Sequence, residues 1–140
     1  MVNAEQTLSS GLGKVGKPEI ATQRRVIQLF SDPNGLAYKY IGNLHDSVNR
    51  NIKEDVLFSW LTGNGYSREA ASLAIAELKK SAADLQHGLY AANESVYSLL
   101  KYGVKVQEGE YGDIRTVYFI NWDDPSQNAF EIAEEVTIVD

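Results

Sequence analysis

Cysteine is absent from the 140 residues, and proline, histidine and methionine are scarce, with three, two and one copies. Without cysteine, the chain cannot be a disulfide-stapled secreted module, a thiolate metal protein or an enzyme with a cysteine nucleophile. No apolar run approaches the roughly 18 residues that a membrane span needs. Residues 1–16 also lack the apolar segment of a signal peptide. These absences favour a cytoplasmic protein without a membrane partner.

Apolar and aromatic side chains, by contrast, are plentiful. Hydrophobic residues make up 44% of the chain, and the aromatic ones are four Phe, eight Tyr and two Trp. This composition argues against disorder throughout the chain. A length of 140 residues also suffices for one domain with a buried core.

The charge is acidic and unevenly placed. Acidic residues outnumber lysine and arginine by 19 to 13, which gives a formal net charge of −6. The excess lies after Tyr102, where Lys105 and Arg115 face nine acids. Such a segment repels nucleic-acid phosphates. The plain interpretation is a solvated acidic face, and the alternative is a metal-binding or protein-docking surface that needs more chain to complete it.

Apolar residues at helical spacing predict four helices, of which the first spans about 19–30 and the last about 89–101. The second is expected to begin at Asn51 as N-cap, with Glu54 three residues later as in a capping box. Ser67 is the expected N-cap of the third helix. Residues 1–17, small, polar and rich in glycine, are predicted to form a flexible N-terminal arm.

The apolar pattern changes to strict alternation after Gly103, which predicts strands. Two strands, at about 116–122 and 130–139, are expected to pair as an antiparallel hairpin around a polar turn. A further short strand is expected near Tyr38 and Tyr40. Because the helices largely precede the strands, the predicted fold class is α+β, with N-terminal helices followed by an antiparallel β-hairpin.

The last predicted strand runs directly into Asp140, without a terminal turn or tail. We therefore expect that position 140 is a boundary imposed on a larger domain. The hairpin should then present an apolar face that later strands would cover. Partial exposure, or burial in a self-association contact, is expected for Tyr118, Trp122, Phe130 or Ile132.

Three short motifs have weak chemical meaning. The two histidines, His45 and His87, lie in polar loop sequence and do not support a nucleophilic triad or a zinc site. The glycine-rich residues 11–17 lack the Gly-Lys-Ser/Thr ending of a phosphate-binding loop. Glu77-x-Lys79, with Asp55 upstream, matches a metal-nuclease pattern, but both parts have helical periodicity where that pattern requires strands.

The start of the second helix has more interest because it carries two carboxylates, Glu54 and Asp55, near the positive end of the helix dipole. Compensation of that dipole is the structural interpretation. The functional interpretation is an acid that the helix delivers towards a metal site.

Several segments together resemble the N-terminal region of the restriction (R) subunit of type I restriction–modification enzymes. The order and spacing of these segments are more specific than any one motif. The resemblance covers about residues 16–139. The segments that carry it are Gly16–Phe30, Tyr38–Gly42, the helix after Asn51, Leu61–Ser67, Leu89-Tyr90, Val96–Val106, Thr116–Trp122 and Asn128–Thr137.

The resemblance implies that residues 18–140 are the N-terminal part of a nuclease domain with the PD-(D/E)xK fold, incomplete here. In the family, a catalytic Asp and a Glu-x-Lys pair follow this segment, and a DNA-translocating ATPase motor follows the nuclease domain. The complete enzyme uses Mg²⁺ and ATP to cleave unmodified double-stranded DNA, with methyltransferase and specificity subunits as partners. The family also places an acid on the early helix near the metal site, which here matches Glu54 or Asp55. We expect no cleavage by the 140 residues alone.

Two other functions stay open at this point. The chain could be a non-catalytic interaction module that docks on a methyltransferase assembly or weakly imitates DNA. It could also be a small acid–base or metal enzyme that uses Asp55, Glu108, Glu110 and the acids of the predicted hairpin, although no spacing beyond chance supports this.

Overall fold

The computed structural model describes residues 17–46 and 50–137. The predicted flexible arm lies outside the described residues except for position 17, which begins the first helix. Contacts divide the chain into a first unit, residues 1–49 and 130–139, and a second unit, residues 50–129 with residue 140.

The described residues form four α-helices and four short strands, which confirms the α+β class. The strands make one parallel and one antiparallel pair, β1 with β4 and β2 with β3. In chain order the elements are α1 (Lys17–Ser31), β1 (Lys39–Asn43), α2 (Glu54–Gly63), α3 (Arg68–Ala83), α4 (Leu89–Tyr102), β2 (Val104–Gln107), β3 (Ile114–Val117), a 3-10 turn (Pro125–Gln127) and β4 (Glu131–Glu134).

The first unit holds α1 and the parallel pair β1–β4, in which Lys39 lies opposite Glu131. The ring of Tyr38 connects these elements, because its centroid lies 5.1 Å from that of Phe30 and 5.2 Å from that of Phe130. Aromatic contacts at such distances add to the burial of the rings. They bring the end of α1 and the start of β4 to the start of β1.

The second unit is built around α3, which packs against α2, α4, β2 and β3. Its inner face carries Ala70, Ala71 and Ala74, all fully buried. Because alanine is small, neighbouring backbones can approach this face closely. The other buried residues of the core are Leu61, Ile75, Leu78, Val104, Val106, Val117 and Phe119.

The predicted hairpin between 116–122 and 130–139 is wrong. Strand β3 ends at Val117 and pairs antiparallel with β2, whereas residues 131–134 pair in parallel with β1. The physical reason is burial. Val104, Val106 and Val117 cover α3 from one face of the β2–β3 hairpin, and the Phe130 ring packs on Tyr38 of the first unit. The partial exposure expected of the predicted hairpin's apolar side chains is confirmed, since Trp122 is 57% and Phe130 45% exposed.

One of the two predicted N-caps is also wrong. Helix α2 begins at Glu54, so Asn51 does not cap it, and Lys53 precedes the helix without a capping side chain. The backbone of Lys53 stays non-helical, and its carbonyl accepts the first helical hydrogen bond from the Leu57 N–H at 3.0 Å. The other N-cap is confirmed, because the Ser67 hydroxyl oxygen accepts a hydrogen bond from the Ala70 N–H at 3.0 Å.

Gly103 lies where α4 turns directly into β2, and it generates a stability prediction. Its φ is +77°, and a Cβ at this position would lie 2.6 Å from Thr116 Cγ2 and 2.8 Å from the Val117 carbonyl oxygen. We expect Gly103→Ala to lower the free energy of unfolding by about 2–4 kcal/mol, because backbone strain and overpacking add. Urea denaturation measures the change.

The matched control is Gly65→Ala. Gly65 also has a positive φ, +91°, but a Cβ there would meet nothing within 4 Å. This variant should lose only the strain contribution, about 1–2 kcal/mol. Equal losses in the two variants would contradict the steric argument at Gly103.

Candidate functional site

Glu54 begins α2 and turns towards α3. Its Oε1 atom lies 2.8 Å from Nζ of Lys79, in a shallow groove that Phe58 and Ile75 also line. Both side chains stay partly solvated, with 48% of Lys79 and 41% of Glu54 exposed. Such a pair contributes about 0.2–1 kcal/mol to stability. Its main effect is to hold the Glu54 carboxylate in one orientation.

Asp55, the second predicted acid, lies one position further along α2 and is exposed. Within residues 17–46 and 50–137, no hydrogen bond or ion pair holds its carboxylate. The two predicted candidates therefore differ, because the Glu54 carboxylate has a salt-bridge partner and, among the described residues, that of Asp55 has none.

The Glu77-x-Lys79 pattern does not converge on a common point. Both residues lie on α3, as their helical periodicity predicts. Positions two apart on a helix point in nearly opposite directions. Lys79 accordingly faces Glu54, whereas Glu77 lines a separate groove with Val104 and Lys105.

The acids considered for a small metal enzyme do not lie together at one site either. Glu108 accepts a hydrogen bond from the Ser67 hydroxyl and lies 4.0 Å from an Arg115 nitrogen. These contacts connect the N-terminus of α3 to the β2–β3 loop. Among the described residues, no three histidine, aspartate or glutamate side chains lie close enough together to hold a metal.

Both histidines are exposed, as their polar surroundings predict. Nδ1 of His45 lies 3.0 Å from the Asp46 carboxylate, and this hydrogen bond raises the pKa of His45, helped by the charges of Asp46 and Glu135. Both side chains of this pair are well exposed to solvent.

Sequence reasoning missed a large aromatic groove in the second unit. Its volume is about 730 Å³, within the range of ligand-binding pockets. Most of these side chains belong to segments that the sequence predicts as helices or strands. The high number of tyrosines was the sequence signal for an aromatic site. We define the aromatic groove by Trp60, Asn64, Tyr66, Tyr97, Leu100, Lys101, Tyr102, Tyr118, Ile120, Asn121, Trp122 and Asp123.

Hydrogen bonds hold both tryptophans of the groove in place. The indole N–H of Trp60 donates to the Gln127 carbonyl at 3.2 Å, and that of Trp122 donates to the Leu100 carbonyl at 3.0 Å. Because these polar atoms are satisfied internally, the rings present their apolar faces to the groove. The Trp122 side chain is nevertheless 57% exposed. The groove therefore offers ordered, solvent-accessible ring surfaces.

Cations of the chain itself already lie over three of the tyrosines. The Lys101 ammonium lies 5.3 Å from the ring centre of Tyr102 and 5.8 Å from that of Tyr97. The Arg115 guanidinium lies 4.9 Å from the ring centre of Tyr66. A hydrogen bond with Tyr102 raises the pKa of Lys101. These contacts are attractive, since aromatic ring faces carry partial negative charge.

The loop after β3 positions Trp122 and Asp123. The Asn121 N–H donates to the side chain of Asn128 at 2.8 Å, and the Asn128 amide donates back to the Asn121 carbonyl at 2.9 Å. Asp124 closes the loop by accepting hydrogen bonds from the hydroxyl and the N–H of Ser126. These bonds, led by the hydroxyl, lower the pKa of Asp124.

This geometry predicts a pH effect that carboxyl NMR titration can measure. Because the folded pKa of Asp124 lies below its unfolded value, the ionised form stabilises the loop above the unfolded pKa. That contribution is lost as the pH falls through the folded pKa. We expect Ser126→Ala to raise the pKa of Asp124 towards its ordinary value. Ser72 is an exposed residue of α3, so the control variant Ser72→Ala should leave the pKa of Asp124 unaltered. An unchanged pKa of Asp124 in Ser126→Ala would contradict the role of the Ser126 hydroxyl.

Comparison with known proteins identifies the family. The family model named type I restriction enzyme R protein N terminus matches residues 18–140, which is most of the chain. The chain therefore belongs to this family. Searches of curated proteins and of solved structures returned no match. In the described part of the chain, no helix is long and apolar enough to cross a bilayer.

Proposed function

We propose that residues 18–140 are the first part of the nuclease domain in the restriction subunit of a type I restriction–modification enzyme. The family match over these residues is the observation that carries the proposal. The complete enzyme would cleave unmodified double-stranded DNA, with Mg²⁺ and ATP-driven translocation. In this proposal the 140 residues supply scaffold, and their partners are the methyltransferase and specificity subunits.

We further propose that these residues do not cleave DNA by themselves. Glu77 and Lys79 point in different directions, which supports this proposal. In a nuclease, the glutamate and the lysine of a Glu-x-Lys pair must face the same metal site. The engagement of Glu108 by Ser67 and Arg115 also supports it.

Purified chain incubated with supercoiled plasmid and MgCl₂ should produce no nicking above the buffer background. Immobilised chain should retain the methyltransferase and specificity subunits of its own system, whether or not duplex DNA is present. Mg²⁺-dependent nicking that Asp55→Ala or Glu77→Ala abolishes would contradict the proposal. Displacement of the subunits by DNA would instead favour the interaction module that imitates DNA.

For the acid near the family's metal site, we propose Glu54 rather than Asp55. A group that acts near a metal needs a defined position, which neighbouring side chains supply. Lys79 provides such a contact for Glu54. The exposed Asp55 then serves mainly the helix dipole.

The matched pair Glu54→Gln and Asp55→Asn tests this choice in the complete restriction subunit. We expect Glu54→Gln to lower the rate of DNA cleavage by about 10–100-fold, as for other groups that orient metal ligands. Asp55→Asn should stay within about twofold, since exposed substitutions are usually near neutral. ATP hydrolysis and the midpoint of thermal unfolding serve as controls for folding. Loss of cleavage in Asp55→Asn alone would reverse the assignment.

A further inference from the structure

Three ring faces of the aromatic groove lack an internal cation. Lys101 and Arg115 lie over Tyr97, Tyr102 and Tyr66. Over the span that the structure describes, no lysine or arginine lies over Trp60, Tyr118 or Trp122. Of the aromatic side chains, tryptophan attracts cations most strongly. Trp122 and Tyr118 are 57% and 43% exposed, whereas Trp60 is partly buried and packs against the core.

The groove lining carries one acid, Asp123, and one base, Lys101. Asp123 lines the groove next to Trp122, and Asp124 follows it in the same loop. Asp124 is used inside the loop, where it accepts hydrogen bonds from Ser126. No such contact holds the Asp123 carboxylate among residues 17–46 and 50–137. Its negative charge repels phosphate and attracts a cation. The groove's own cation, Lys101, is paired with two tyrosine rings.

We propose that the aromatic groove binds an arginine side chain in a basic segment of a partner protein. Arginine fits because its planar guanidinium stacks on aromatic faces and also forms paired hydrogen bonds with a carboxylate. The rings of Trp60, Tyr118 and Trp122 supply the faces, and Asp123 supplies the carboxylate. A volume of about 730 Å³ exceeds one side chain and accommodates neighbouring residues of the segment.

This inference is independent of the proposed nuclease function. Arginine recognition would still hold if the chain had no role in DNA cleavage, because it rests on the contents of the groove alone.

The composition of the chain provides a direct experiment. Its two tryptophans, Trp60 and Trp122, both line the groove, so intrinsic tryptophan fluorescence reports on this site alone. The 140-residue chain is titrated with a short peptide that contains several arginines and with the same peptide carrying lysines. We expect saturable quenching, with the arginine peptide binding about 5–10-fold more tightly, because lysine cannot stack or make paired hydrogen bonds.

Asp123→Asn removes the groove's carboxylate charge and leaves the rings in place. It should weaken binding of the arginine peptide by about 3–10-fold. The matched control is Asp113→Asn, which removes an equal charge from an exposed loop residue outside the groove. It should bind within about twofold of the unaltered chain. Circular dichroism of each variant verifies that it is folded.

Three outcomes would overturn the proposal. No quenching by the arginine peptide, in a folded chain, would show that the groove does not bind it. Non-specific attraction to an acidic protein would give a different result. The arginine and lysine peptides would then bind equally tightly, and Asp123→Asn and Asp113→Asn would have the same effect on binding. Tighter binding of a single-stranded oligodeoxynucleotide than of the arginine peptide would identify the groove as a stacking platform for bases.

Discussion

The close packing of α3 against its neighbours is the interaction on which the second unit depends. Ala70, Ala71 and Ala74 are fully buried on one face of this helix, and Leu61 of α2 and Val117 of β3 are fully buried with them. A larger side chain at any of the three alanines would overpack this core, at a cost of about 1–3 kcal/mol. Because α2, α4 and the β2–β3 hairpin all pack on α3, this helix decides where their outer faces lie.

The two candidate sites follow from that arrangement. Packing of α2 on α3 brings Glu54 to Lys79, and packing of α4 and the hairpin around the same core places the ends of α4 and β3 beside each other. The aromatic groove occupies this junction, and the hydrogen bond from Trp122 to the Leu100 carbonyl connects its two sides. The geometry of α3 itself points Glu77 and Lys79 in nearly opposite directions, so a motif that matches in sequence has no common site in space.

The two units differ in what holds them together. The second unit buries alanine, valine and leucine side chains in a continuous core. The first unit relies on the rings of Phe30, Tyr38 and Phe130, with a hydrogen bond at 2.7 Å from the Tyr40 hydroxyl to Glu134 between its strands. That bond raises the pKa of Tyr40. Only two short strands make its sheet, so ring contacts supply much of its order.

By itself, the sequence determined the α+β class and the four helices, because helical spacing, Ser67 and Gly103 are local signals. Its resemblance to the family rested instead on the order and spacing of several segments. It also identified Glu54 and Asp55 as acids at a helix start, which needs only their positions in the chain. Tertiary structure decided the strand partners. Alternation predicts a strand but not its exact bounds or what it pairs with, and the burial of Val117 and the contact of Phe130 with Tyr38 made that choice. It likewise brought Glu54 to Lys79 and assembled the aromatic groove from residues 60–123, since side chains so far apart in sequence meet only when the elements pack.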